Sequence, residues 1–191
     1  AGWGGRIFRR HLHIMFPSFE RGVDGMWQIG VWERDEGLAG ALAATAQAQG
    51  CVVRCGRHPA QLMGRDFDLL VVSPQAAGWA GAGALHCRTA LVPGGLSALT
   101  RLLPADRMLS YGMGPANTIT LSSINEGRAC VAVQREFPTL EGAPVERQEF
   151  VLDYNGAQPD LFLAQAGARL LLGMVQPELG DGPGQAFSPS W

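Results

Sequence analysis

Five short apolar runs, separated by turn residues and helical patterns, constrain this chain more than any other feature. They are Trp27–Trp32 (WQIGVW), Cys51–Cys55 (CVVRC), Asp68–Ser73 (DLLVVS), Arg88–Val92 (RTALV) and Met108–Tyr111. Pro74, Pro93-Gly94-Gly95 and Gly112 close the last three. Runs this short and this apolar read as buried strands. Between the first two, Leu38, Leu42, Ala46 and Gln49 recur at helical spacing. Asp35 is placed to cap that helix, Glu36 suits its first turn, and Gly50 stops it. Leu96 to Leu103 reads as a second, short helix stopped by Pro104. Strands alternating with helices predict an α/β fold with a Rossmann-like, mostly parallel sheet. Right-handed crossovers then gather the carboxyl ends of the strands on one rim.

The pattern changes after Tyr111. Thr118–Ile124 and Ala129–Phe137 alternate apolar and polar residues, and Gln148–Tyr154 forms a third run. Turns at Asn125-Glu126-Gly127 and Glu141-Gly142 predict a three-stranded antiparallel meander. A closing helix is expected from Pro159 to Met174, with Pro159 at its start and Leu161, Ala164, Ala168, Leu171 and Leu172 as its apolar stripe. Residues 1–176 are expected to form a single domain, with the parallel part at about 27–112, the meander and helix at about 117–174, and a flexible tail at 177–191. His11–Phe16 reads as an additional strand before β-type residues resume at Trp27.

Composition removes several function classes. All 15 basic residues are arginine, so the chain holds no lysine for a P-loop, a Schiff base or a kinase strand. A net charge of −2 gives no electrostatic footprint for nucleic acid or acidic membranes. No run approaches the ~20 apolar residues of a membrane span. Four cysteines are too few for a disulfide-built scaffold, so a cytoplasmic, reduced setting is the expectation.

Candidate sites follow from position. Ser73 sits at the rim, but Val-Val-Ser-Pro-Gln is not a nucleophile elbow. Gly94 and Gly95 join a strand to a helix start, where free N–H groups favour anions, although a plain turn uses the same residues. The loop from Tyr111 to Asn117 leaves a strand at the rim and mixes backbone freedom with a phenol and an amide. Ser73, Gly94, Gly95, Tyr111 and Asn117 are therefore the candidate ligand residues. Glu33, Asp35 and Glu36 place carboxylates at the usual phosphate position and disfavour a phosphate there. Cys51, Cys55 and His58, His86 with Cys87, and His11 with His13 have metal-compatible chemistry but not the spacing of a zinc site, and no metal is assigned.

The stretch from 107 to 174 resembles the end of the central domain of Mur ligases, ATP-dependent amide ligases of cell-wall precursor synthesis. The resemblance is carried by a strand ending in Tyr111-Gly112, three antiparallel strands, Gly156, and an Ala/Leu-rich helix from Leu161 to Gly173. It implies a bacterial, nucleotide-binding ancestry. The motifs that would carry ligase chemistry are missing. The family's P-loop lysine has no counterpart, and its Gly-x-His-Asn-x-x-Asn pattern falls on Gly156, Gln158, Pro159 and Phe162. Together these readings predict a non-catalytic Rossmann-like module without a cofactor, acting through a protein partner or a homo-oligomer. A small-ligand or nucleotide binder using the strand-end loops is the alternative, and an enzyme the least favoured reading.

Overall fold

The computed structural model describes residues 25–175. The readings placed on His11–Phe16 and on the tail after Gln176 lie outside the described residues.

The five apolar runs form β1 (Trp27–Trp32), β2 (Cys51–Gly56), β3 (Asp66–Val72), β4 (His86–Pro93) and β5 (Ala105–Tyr111). They pair in parallel in the order β2-β1-β3-β4-β5. The sheet then continues through β6 (Ile119–Asn125), β7 (Arg128–Val133) and β10 (Glu149–Asp153), which run antiparallel to one another. The result is a mixed α/β fold built on one eight-stranded, mostly parallel sheet.

The predicted meander is therefore present, with one correction. The segment expected as a single strand to Phe137 stops at Val133, and the Glu141-Gly142 turn does not lead to the third meander strand. It joins β8 (Phe137–Pro138) to β9 (Pro144–Val145) in a separate two-stranded sheet. That ribbon is held by Leu140 N–H donating to the Leu171 carbonyl, 2.8 Å, and by Arg107 Nη1 donating to the Pro138 carbonyl. Asn125-Glu126-Gly127 does form the β6–β7 turn. Glu126 and Gly127 both take positive φ, 45° and 78°, as a tight two-residue hairpin requires.

Helix α1 (Leu38–Ala46) and helix α3 (Pro159–Leu171) lie side by side on one face of the sheet. They cover Ile29, Val31, Leu69, Val71, Leu91, Leu109, Ile119 and Val131. The expected stripe on α3 proves too narrow. Phe162, Leu163, Ala166, Gly167 and Leu170 are buried as well, because the helix lies flat between the parallel strands and the ribbon. Gly167 allows that approach. A Cβ there would stand 2.9 Å from both Ile119 Cδ1 and Leu91 Cδ2.

The opposite face is covered differently. Instead of long crossover helices it carries three 3₁₀ turns or short helices: Pro59–Gln61, Trp79–Ala84 and α2 (Ser97–Leu102). Leu62, Ala82, Leu85 and Leu103 from these connections close over Trp32, Leu70, Ala90 and Val92.

Candidate functional site

In an open α/β sheet the ligand crevice lies outside the carboxyl ends of the strands, where successive connections turn to opposite sides. Here β1 is followed outward by β2, and the chain then crosses back to β3. The crevice therefore falls between the ends of β1 and β3, beside Glu33 and Ser73.

Asp35 does not cap α1. It sits at φ 101°, exposed, and pairs with Arg57. Glu33 does the capping instead, from four residues before the left-handed Gly37 that opens the helix. Its two carboxylate oxygens accept from Leu38 N–H at 2.7 Å and from Ala39 N–H at 3.0 Å. Glu33 is only 5% exposed. The free N–H groups at a helix start are the usual holders of a phosphate. In this chain a built-in carboxylate holds them.

Glu36 fills the neighbouring position. It accepts from Ser73 Oγ, from Gln75 N–H at 3.1 Å and from Arg34 N–H at 3.3 Å. Ser73 is fully buried, and its own N–H donates to the Trp32 carbonyl. Cys55 closes the group, with its thiol 3.5 Å from Glu33. Burial first, and then the Glu33 carboxylate, push that thiol up to about 11 from 9.0. It is thus a protonated thiol at neutral pH rather than a nucleophile.

The other candidate residues gather at the ends of β3, β4 and β5 but are turned toward one another. Tyr111 is fully buried and its hydroxyl donates to the Val72 carbonyl at 2.6 Å. Burial raises its phenol well above the ordinary range. Gly94 N–H donates to the Tyr111 carbonyl, and the Asn117 side chain occupies the space a Gly94 Cβ would need. Asn117 in turn donates to the Gly114 carbonyl, and Arg135 donates to the Ala116 carbonyl. The loop is thus bonded internally. Gly95 is exposed and makes no close approach. The helix that follows has only six residues.

The metal-compatible residues do not converge either. His58 uses Nδ1 to accept from Ala60 N–H and lays its ring against Gly78. Cys87 is buried and its thiol is raised to about 12 by desolvation and then by Asp106. Among the described residues no three His, Cys, Asp or Glu side chains form a metal-binding group.

A concavity lies on the opposite rim, at the amino ends of the strands, and sequence reasoning did not point to it. It is a basin of about 800 Å³. Its floor is Asp68, only 5% exposed, whose carboxylate accepts from Gln28 N–H at 2.9 Å and pairs with Arg88 at 3.2 Å. Arg54, Arg65, Asp66, His86 and Asp106 stand around it. Burial raises the Asp68 carboxyl above its usual range, and the Gln28 N–H and Arg88 oppose that shift. A carboxyl whose pKa is raised on folding adds stability below its unfolded pKa, and loses that contribution as pH rises through the folded value. Stability measured by urea from pH 3.5 to 7 should therefore fall more in the native chain than in Asp68→Asn. Parallel curves would show that the desolvation cost is fully compensated by Gln28 and Arg88.

Among the described residues no helix is long and apolar enough to cross a membrane. No protein-family model, curated protein or solved structure matches this chain.

Proposed function

We propose that this chain is a non-catalytic, Rossmann-like module that works by engaging a protein partner or within an assembly, rather than by binding a nucleotide. The observation that carries this reading is the Glu33 carboxylate on the N–H groups of Leu38 and Ala39. A phosphate entering there would displace one anion and face a second, Glu36. If the Mur-ligase resemblance of residues 107–174 reflects kinship, this reading makes the chain a relative whose crevice is filled by its own side chains. Two features favour a macromolecular partner. Among the described residues β2 and β10 are unpaired sheet edges, and Val151 on β10 is 55% exposed. An open edge is a template for strand addition. The small-ligand alternative at Pro93–Leu96 and Tyr111–Asn117 is weakened by the internal bonding of that loop. A cytoplasmic setting goes with this reading, since none of the four cysteines forms a disulfide among the described residues.

The test is a thermal-shift and calorimetric series on the full chain with ATP, ADP, NAD, a uridine-diphosphate sugar and inorganic phosphate. The expected result is no rise in Tm and no saturable heat. A nucleotide that raises Tm in proportion to the logarithm of its concentration would overturn the reading, since only a ligand selective for the folded state does this.

A further inference from the structure

The connection from β10 to α3 carries chemistry of its own. Asp153 ends β10 and Pro159 opens α3. Tyr154 fastens the turn between them. Its N–H donates to the Gly127 carbonyl at 2.7 Å, and its hydroxyl donates to the Ala157 carbonyl. Its ring stands edge-on to Phe162, with centroids 5.1 Å apart. Asn155 and Gly156, between these fixed points, are exposed.

Three features of that pair favour attack of the Gly156 nitrogen on the Asn155 side chain. The attacking residue has no side chain, and nothing lies within 4 Å of where a Cβ would stand. Its N–H has no acceptor among the described residues, so no hydrogen bond must break first. The Asn155 Oδ1 accepts from Ala157 N–H at 3.2 Å, the two-residue reach of an Asx turn. That donor polarises the side-chain carbonyl and stabilises the negative charge its oxygen gains when Cγ is attacked.

The other two asparagines of the chain lack this setting. Asn117 precedes the β-branched Thr118, whose N–H is held by Ser110 Oγ at 3.2 Å. Its own amide nitrogen donates to the Gly114 carbonyl at 2.9 Å. Asn125 precedes Glu126, so the attacking nitrogen there belongs to a residue with a long side chain.

We propose that Asn155 is a site of spontaneous deamidation, a modification that consumes only water. The Gly156 nitrogen gives its proton to a solvent base and bonds to Asn155 Cγ. The Cγ–Nδ2 bond breaks, and Nδ2 takes up a proton and leaves as ammonia. A cyclic succinimide remains. Water opens it at either carbonyl, which gives aspartate or isoaspartate. Both products add a negative charge just past the exposed edge strand β10. Isoaspartate also lengthens the main chain by a methylene between β10 and α3. This chemistry is independent of the reading of the carboxyl-end rim.

The experiment is incubation of the full chain at 37 °C in mildly alkaline buffer for several weeks. Intact mass is followed, and digests are compared with synthetic aspartate and isoaspartate peptides. Conversion at Asn155 is expected to run ~10-fold or more ahead of Asn117 and Asn125, a modest difference in barrier. Gly156→Ala adds a Cβ into open space and should slow conversion at Asn155 by ~10-fold. Asn155→Ser should abolish the early gain in mass. The end-blocked peptide Tyr-Asn-Gly-Ala-Gln, incubated alongside, shows whether the buffer supports the reaction. Asn155 intact in the folded chain after that peptide has converted would overturn the proposal. So would conversion led by Asn117 or Asn125, or an unchanged rate in Gly156→Ala.

Discussion

Replacing Glu33 by alanine should destabilise the protein by about 2–4 kcal/mol, a large loss for a residue outside any helix or strand. Glu33 is nearly fully buried and both of its oxygens are engaged by backbone donors. Removing it leaves the N–H groups of Leu38 and Ala39 without their acceptor, and each orphaned buried donor costs about 1–3 kcal/mol. Loss of an ordinary cap costs about 1 kcal/mol, so the measured value separates a buried double cap from a surface one. Urea denaturation gives the number through the shift in midpoint at constant slope. The same variant tests the functional reading. With the carboxylate gone, the start of α1 regains free N–H groups, and inorganic phosphate should raise the Tm of Glu33→Ala more than that of the native chain. A variant as stable as the native chain would mean that water replaces the carboxylate at no cost, and that the filled crevice is not a stabilising feature.

Trp32→Ala should cost still more, about 3–5 kcal/mol. Trp32 ends β1 on the thinly covered face and is fully buried among Leu62, Leu70 and Leu85. Its indole Nε1 donates to the Ala77 carbonyl at 3.0 Å, tying the loop after β3 to the sheet. Truncation removes that bond and opens a cavity. Short 3₁₀ turns pinned by single contacts can shift, so part of the cavity will close by their collapse, and the residual volume sets the final cost. Trp32→Phe keeps one aromatic ring but loses the hydrogen bond and leaves a smaller cavity, so about 1–3 kcal/mol is expected. If the two variants lost the same stability, the indole bond rather than the packing would be what holds this face.

The two variants bracket what was readable from residue order. The strand at Trp27–Trp32, the helix stop at Gly50 and the start of α3 at Pro159 all followed from local patterns, because hydrophobic period, glycine conformation and proline geometry act within a few residues. Asp35 looked like a cap for the same local reason, and failed for a non-local one. The chain turns through positive φ at Asp35 and Gly37, which carries Asp35 away to Arg57 and brings Glu33 back over the helix start. Nothing in the spacing of Glu33 from Leu38 matches an ordinary capping position. Tyr111 was legible as a residue at the rim, but not as one whose hydroxyl is given to Val72, 39 residues away.

By itself the sequence determined the alternation of strands and helices, the antiparallel continuation, and the absence of lysine chemistry. These depend on residue identity and short-range periodicity. Tertiary structure decided the order β2-β1-β3-β4-β5, the filling of the crevice by Glu33 and Glu36, and the charged basin at the opposite rim. The reason is physical. Asp68, Arg88 and Asp106 meet only because three strands pair in one register, and that register is set by the burial of whole faces rather than by any neighbouring residue.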